Sequence, residues 1–102
     1  MMLNDIFTTL PVLYRKGGIS QKTSFYFSID DVKKTVILDA DSCNVIDGKA
    51  GENADCVCKT GEEFFLKVWN DGYKPGMKDF LDGSIKSNAP HLLQEFLKAF
   101  GK

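Results

Sequence analysis

The chain has 102 residues, a length that suits one hydrophobic core, and we expect residues 1–102 to form a single domain. Hydrophobic residues make up 43% of the sequence and charged residues 26%, as in ordinary globular proteins. The formal net charge is −1, and Arg15 is the only arginine. This balance argues against a dedicated nucleic-acid binder and predicts at most transient contact with a membrane.

The sequence predicts a cytoplasmic location. An odd number of cysteines (Cys43, Cys56 and Cys58) fits a reducing compartment better than a disulfide-stabilised secreted domain. The N-terminal residues show no basic region followed by a long apolar run, as a secretory signal would. No apolar run approaches the roughly 20 residues that span a bilayer.

The first half of the chain changes from helical to strand periodicity. Apolar residues at residues 3–14 recur at helical spacing, and Pro11 is expected to kink or end this helix near Leu10. Alternating or β-branched segments then predict four strands, at residues 23–29, 35–39, 43–46 and 54–59. Their short connections favour antiparallel hairpins.

Helical periodicity returns at Thr60, which stands three residues before Glu63 in a capping-box arrangement and is the expected N-cap. This helix ends before Gly72, and a short helix is predicted between residues 75 and 83. A weak fifth strand at residues 84–88 precedes a final helix beginning near Pro90, with Asn88 as a possible cap. Strands grouped apart from helices indicate an α+β domain, a sheet with helices on one face.

Candidate catalytic and metal-binding residues form no recognisable site. Cys56 and Cys58 are spaced more closely than zinc-binding cysteines usually are, and His91 is the only histidine. No nucleophile or phosphate-loop motif accompanies His91. We therefore expect no metal, no cofactor and no catalytic residue.

The order of segments nevertheless resembles a known family. Strands at residues 23–29 and 35–40 and the stretch ADCVCKT at residues 54–60 lead into a Phe-rich helix. They are followed by NDGYKP at residues 70–75 and MKDFLDGSIK at residues 77–86. In this order, over nearly the whole chain, these segments resemble the sterol carrier protein type-2 family.

The resemblance implies a five-stranded, mostly antiparallel sheet with helices on one face enclosing an apolar tunnel. It also implies non-enzymatic binding and transfer of lipids: fatty acids, acyl-CoA, sterols or phospholipids. We expect a cavity of roughly 300–1,000 Å³, the usual range for small-molecule sites. Residues carried over from the family as the tunnel wall are Phe25, Phe27, Cys58, Phe64, Phe65, Trp69, Met77, Phe80, Leu81, Leu93, Phe96, Leu97 and Phe100.

Two other interpretations remain open at this point. One is an accessory interaction domain, whose apolar groove receives a segment of a partner protein or a second copy of the chain. The other is an enzyme with an unrecognised site, for which a buried titratable pair lining the cavity would be the sign.

Overall fold

The computed structural model describes residues 2–49, 51 and 53–102. Within them the chain forms four helices and five strands. The order is α1 (Leu3–Leu13), β1 (Thr23–Ile29), β2 (Val32–Leu38), β3 (Cys43–Asp47), β4 (Cys56–Thr60), α2 (Glu62–Asp71), α3 (Met77–Leu81), β5 (Ile85–Ser87) and α4 (Pro90–Ala99). The predicted α+β class is confirmed.

The sheet is mixed rather than purely antiparallel. Its strand order is β3-β2-β1-β4-β5, and β1 pairs with β2 antiparallel through a tight turn. β2 with β3 and β4 with β5 are also antiparallel, but β1 and β4 run parallel, with Phe27 opposite Cys58. The expected antiparallel hairpin to β4 is wrong, because β4 returns to the free edge of β1 after the chain has built β2 and β3.

Helices α1, α2 and α4 cover the same face of the sheet. The ring of Phe27, in the central strand β1, lies 5.7 Å from Phe7 of α1, 6.0 Å from Phe65 of α2 and 5.0 Å from Phe96 of α4, centroid to centroid. Each helix therefore places an aromatic ring over the middle of the sheet. Such edge and tilted contacts contribute about 0.5–1.5 kcal/mol each beyond burial of the rings.

The start of α2 differs from the expected capping box. Thr60 is still part of β4, and its hydroxyl donates to the carbonyl of Ser84 at 2.7 Å. Gly61 occupies the N-cap position and offers no side-chain acceptor. The Asp30 carboxylate, from the β1–β2 turn, accepts the backbone N–H of Glu62 at 2.9 Å instead. The helix is thus capped from another part of the chain.

Two further expectations about helix ends are corrected. α1 continues through Pro11 to Leu13, and the Tyr14 N–H closes its last turn on the carbonyl of Leu10 at 2.9 Å. The helix is held against the sheet by its buried side chains, Leu3, Ile6, Phe7 and Leu10. Asn88 does not cap α4, because its side-chain oxygen accepts the Val57 N–H of β4 at 2.8 Å. The N-cap position of α4 is Ala89.

Among the described residues, no helix has both the length and the hydrophobicity that crossing a bilayer requires.

Candidate ligand-binding site

Aromatic side chains fill the space between the sheet and helices α2 and α4. The Phe65 ring stacks on Trp69 at 6.1 Å, one helical turn later, as their spacing on the helix dictates. Trp69 in turn lies 5.7 Å from Phe100, and Phe96 lies 4.9 Å from Phe25 of the sheet. These rings make a continuous aromatic layer rather than the wall of an open tunnel.

A narrow crevice remains in this layer, which we call the inner crevice. Its volume is about 10 Å³, near the lower limit for holding one water molecule and far below the several hundred Å³ expected. It is closed because the rings of Phe27, Phe65 and Phe96 occupy the space that a ligand would need. The inner crevice is lined by Phe27, Cys58, Phe65, Val68, Pro75, Ile85, Leu93, Phe96 and Leu97.

A larger depression lies directly outside the inner crevice, and we call it the outer cleft. Its volume is about 280 Å³. The outer cleft is lined by Val68, Gly72, Tyr73, Lys74, Pro75, Gln94, Leu97, Lys98 and Lys102. Val68, Pro75 and Leu97 line both spaces, so the outer cleft and the inner crevice share one apolar wall.

The segment of residues 72–84, which borders the outer cleft, contains no fully buried side chain. It includes α3, which contains no buried residue. Inside the segment, the Tyr73 hydroxyl and the Gly76 N–H donate to the Asp79 carboxylate at 2.6 and 2.9 Å. The segment meets the rest of the domain through the half-buried Phe80 and through the Ser84 carbonyl, which accepts from Thr60. The bond from Tyr73, followed by the bond from Gly76, lowers the pKa of Asp79, and the bond to Asp79 raises the pKa of Tyr73.

The outer cleft is rimmed by positive charge. Lys74, Lys98 and Lys102 line it, and none of them lies within ion-pair distance of a carboxylate in the described part of the chain. The Lys102 ammonium is 4.9 Å from the centroid of the Trp69 ring, and that of Lys67 is 4.2 Å from the Tyr73 ring. The ion pair found elsewhere, Lys34 with Asp47, is on the sheet edge.

The predicted wall residues fall into four groups in the structure. Six of them line the inner crevice: Phe27, Cys58, Phe65, Leu93, Phe96 and Leu97. Phe25, Trp69 and Phe100 are buried in the aromatic layer, and Phe64 and Phe80 are half-buried against the core. Met77 and Leu81 are 78% and 80% exposed, on the outside of α3.

Sequence reasoning missed several residues that line these spaces. Val68 follows Phe65 by three residues on the apolar stripe of α2, so its periodicity contained the signal. Ile85 is the buried residue of the short strand β5. The lysines of the outer cleft carried no such signal, because a local pattern does not show which exposed cations lie close together.

The three cysteines are free thiols. Burial raises the pKa of Cys58 to about 12 and that of Cys43 to about 11, and it also raises that of Cys56. Such thiols are poor nucleophiles and poor metal ligands at neutral pH. Within the described residues no three His, Cys, Asp or Glu side chains come together as a metal site. His91 is exposed on α4.

This two-layer arrangement is the fold of proteins like sterol carrier protein type 2 (SCP2), as the resemblance in the sequence predicted. UbiJ-SCP2, described as a ubiquinone synthesis protein, superposes with a TM-score of 0.69 at 12% identity, covering 94% of this chain and 85% of that one. No protein-family model and no curated protein matches the sequence.

The fold also occurs as part of a much larger enzyme. The stereoselective inverting sec-alkylsulfatase Pisa1 from Pseudomonas sp. superposes on the whole chain with a TM-score of 0.83 at 12% identity. A double mutant of that sulfatase gives 0.82 at 13% identity. The chain spans 17% of the sulfatase. At such identities the likeness concerns the fold alone.

Proposed function

We propose that the protein is a non-catalytic lipid carrier, which binds the apolar part of its ligand between the sheet and helices α2 and α4. The observation that supports this most directly is the inner crevice, whose lining consists of apolar side chains and one thiol. It continues through Val68, Pro75 and Leu97 into the outer cleft. An apolar chain would therefore find an unbroken apolar path from the surface to the sheet.

Binding requires the inner crevice to widen. Small-molecule sites usually measure about 300–1,000 Å³, whereas the inner crevice measures about 10 Å³. Residues 72–84 are the part of its border most able to move, because α3 has no fully buried side chain and Pro75 is the one residue of the segment that lines the inner crevice. The exposed residues Met77 and Leu81 would come to face the ligand only in such an opened state.

The energetics favour broad rather than narrow ligand selection. Burying each methylene contributes about 0.8 kcal/mol, and contacts of this kind have no preferred direction. Fatty acids, acyl-CoA, sterols and phospholipids are therefore all candidates, and the gain in burial must exceed the cost of displacing the aromatic rings. The similarity in fold to UbiJ-SCP2, a ubiquinone synthesis protein, is consistent with a lipid ligand.

A carrier of this kind works without a cofactor or catalytic group and meets membranes only in passing. The raised thiol pKa values and the exposed position of His91 offer no activated nucleophile or base in the described residues. Three free thiols suit a cytoplasmic location.

The proposal is tested by titrating the protein with fatty acids of 8, 10, 12 and 14 carbons while recording the emission of Trp69. We expect saturable changes and an affinity that rises with chain length, by up to about 0.8 kcal/mol per methylene. Leu97→Gln places an amide in the wall shared by both spaces and is expected to weaken binding of the longest acid about five-fold.

Leu13→Gln is the matched control, because Leu13 is partly exposed on α1 and lines neither space. It is expected to leave the affinity unchanged. Affinity that does not depend on chain length, or a Leu97→Gln variant that binds as well as the wild type, would contradict binding in the inner crevice.

A second candidate is an accessory interaction domain whose outer cleft receives a segment of a partner protein or of a second copy of the chain. The sulfatase favours it, since there the same fold is one part of a larger enzyme. Organic extraction of gently purified protein, followed by mass spectrometry, separates the two. A stoichiometric lipid supports the carrier, and its absence together with a titration that shows no chain-length dependence supports the accessory domain.

A further inference from the structure

We propose that the outer cleft binds the anionic headgroup of the ligand, through Lys74, Lys98 and Lys102. This inference rests on the proposed lipid binding and narrows it to a class: amphiphiles with one carboxylate or phosphate and an apolar chain. The chain would lie in the widened inner crevice, and the charged group would remain in the outer cleft.

The three lysines come from separate parts of the chain. Lys74 belongs to the connection between α2 and α3, Lys98 to the last turn of α4, and Lys102 follows that helix. A lysine in the last turn of a helix complements the helix dipole, and this accounts for Lys98 without any ligand. It does not account for Lys74, which approaches the same concave space from another element.

The three lysines of the outer cleft form no ion pair within the described structure. No carboxylate lies within ion-pair distance of the three lysines among the described residues. The Asp79 carboxylate accepts from the cleft residue Tyr73 and from the Gly76 N–H, and it keeps its charge without pairing with any of the three lysines. Three cations around one depression attract an anion, and the apolar wall below them reduces screening by water.

The position of the outer cleft fits an amphiphile. Its floor consists of Val68, Pro75 and Leu97, the same residues that lead into the inner crevice. A ligand whose chain passes between them leaves its headgroup beside the lysines. The Lys102 ammonium also lies over the ring of Trp69, 4.9 Å from its centroid, so an anion that draws this ammonium away alters the surroundings of the indole.

The test compares three probes with the same 14-carbon chain and different headgroups: tetradecanoate, tetradecyl phosphate and tetradecanol. Binding is followed by isothermal titration calorimetry below the micelle concentration, with Trp69 emission as a second readout. We expect both anions to bind at least ten-fold more tightly than the alcohol, and this preference to shrink as the salt concentration rises.

The variant Lys74→Gln/Lys98→Gln/Lys102→Gln is expected to remove most of this preference, at about three-fold in affinity per lysine, while its affinity for tetradecanol stays unchanged. The matched control is Lys59→Gln/Lys86→Gln, two exposed lysines paired across β4 and β5. Removing these charges is expected to change the preference by less than two-fold. Circular dichroism checks that both variants fold.

The carboxylate and phosphate arms distinguish the source of the charge, and a preference for either anion over the alcohol supports the proposal. Equal affinity for all three probes would overturn the headgroup site and leave the lipid carrier intact. A preference lost equally in the control variant would also overturn it, since the effect would then come from overall charge. Failure of all three probes to bind would overturn both proposals.

Discussion

At the scale of single residues, Trp69 shows which effect dominates in the core. Its side chain is 1% exposed, and its indole N–H donates to no acceptor among the described residues. An unsatisfied buried donor costs about 1–3 kcal/mol. Burial of an indole contributes about 4–6 kcal/mol, from 150–250 Å² of surface at about 25 cal/mol per Å². Trp69 is therefore held by its ring contacts.

Cys58 leads to a prediction about stability at alkaline pH. Burial raises the pKa of its thiol from 9.0 to about 12, so folding favours the protonated form. The resulting contribution to the free energy of unfolding is complete below pH 9. It is lost as the pH rises from 9 towards 12, because the Cys58 thiol ionises in the unfolded chain before it ionises in the folded protein. We expect the free energy of unfolding to fall by about 1.4 kcal/mol per pH unit for this thiol.

Urea denaturation of the wild type and Cys58→Ala between pH 7 and 11 measures this effect. The variant is expected to be less stable at pH 7, and the difference is expected to narrow above pH 9. A difference that is constant across this range would show that Cys58 ionises as easily in the folded protein as in the unfolded chain.

At the scale of elements, α2 depends on a residue 32 positions before its first residue. The Asp30 carboxylate accepts the Glu62 N–H, and the backbone of Asp30 has a φ of 50°. We expect Asp30→Ala to lower the free energy of unfolding by about 2 kcal/mol, by removing the cap and by placing alanine in the left-handed region. Asp30→Asn retains an acceptor and tolerates this φ, so its effect is expected to be less than half as large.

Asp31→Ala is the control for this prediction, since Asp31 is an exposed neighbour in the same turn. Its effect on urea denaturation is expected to stay within about 0.5 kcal/mol. Equal losses at both positions would mean that the turn itself, and not the cap on α2, determines the effect.

In the proposed carrier, residues 72–84 are the part of the border that opens to admit the ligand. Tyr73→Phe removes the hydroxyl that holds Asp79, and we expect ligand association and dissociation to become faster together, with a small change in affinity. Amide hydrogen exchange in residues 72–84 is expected to speed up. Tyr26→Phe, on the opposite face of the sheet, serves as the control in stopped-flow measurements.

The same bond predicts a dependence on acid. The hydrogen bond from Tyr73 lowers the pKa of Asp79 below its usual 3.8, so the stabilisation is complete above pH 3.8 and is lost as the pH falls through the lowered value. Protection of residues 72–84 from exchange, taken relative to the intrinsic exchange rate at each pH, is expected to fall below pH 3.8 in the wild type and less so in Tyr73→Phe. Identical acid profiles would exclude this role for the pair.

At the scale of the whole molecule, the central strand β1 joins both halves of the fold. It pairs with β2 on one side and with β4 on the other, while all three long helices place an aromatic ring near Phe27. A ligand that enters the inner crevice therefore contacts both layers. It is expected to stabilise the complete domain rather than one element.

This leads to a prediction about unfolding in the presence of ligand. Tetradecanoate at a hundred times its Kd is expected to raise the free energy of unfolding by about 2.7 kcal/mol. Octanoate at the same concentration is expected to do much less, because it buries fewer methylenes. Thermal denaturation at several ligand concentrations measures the shift, and a midpoint that ignores tetradecanoate would contradict binding to the folded domain.

The sequence by itself determined most of the helices and strands, and the face that α2 and α4 turn to the core. Periods of two and 3.6 residues predicted the strands and helices, and they put Phe27, Phe65 and Phe96 on the apolar faces of those elements. The order of motifs then predicted the fold, which the structure confirms. These features are local, or depend only on order along the chain, so one sequence carries them.

Only the tertiary structure decided how distant residues meet. It showed that β1 and β4 run parallel, that Asp30 caps α2 and that aromatic rings close the inner crevice. It also brought Lys74 to the same cleft as Lys98 and Lys102. The spacing of apolar residues along the sequence indicates which face of a helix or strand is apolar. Pairing of strands, volume of a cavity and convergence of charges depend on contacts between residues that lie far apart along the chain.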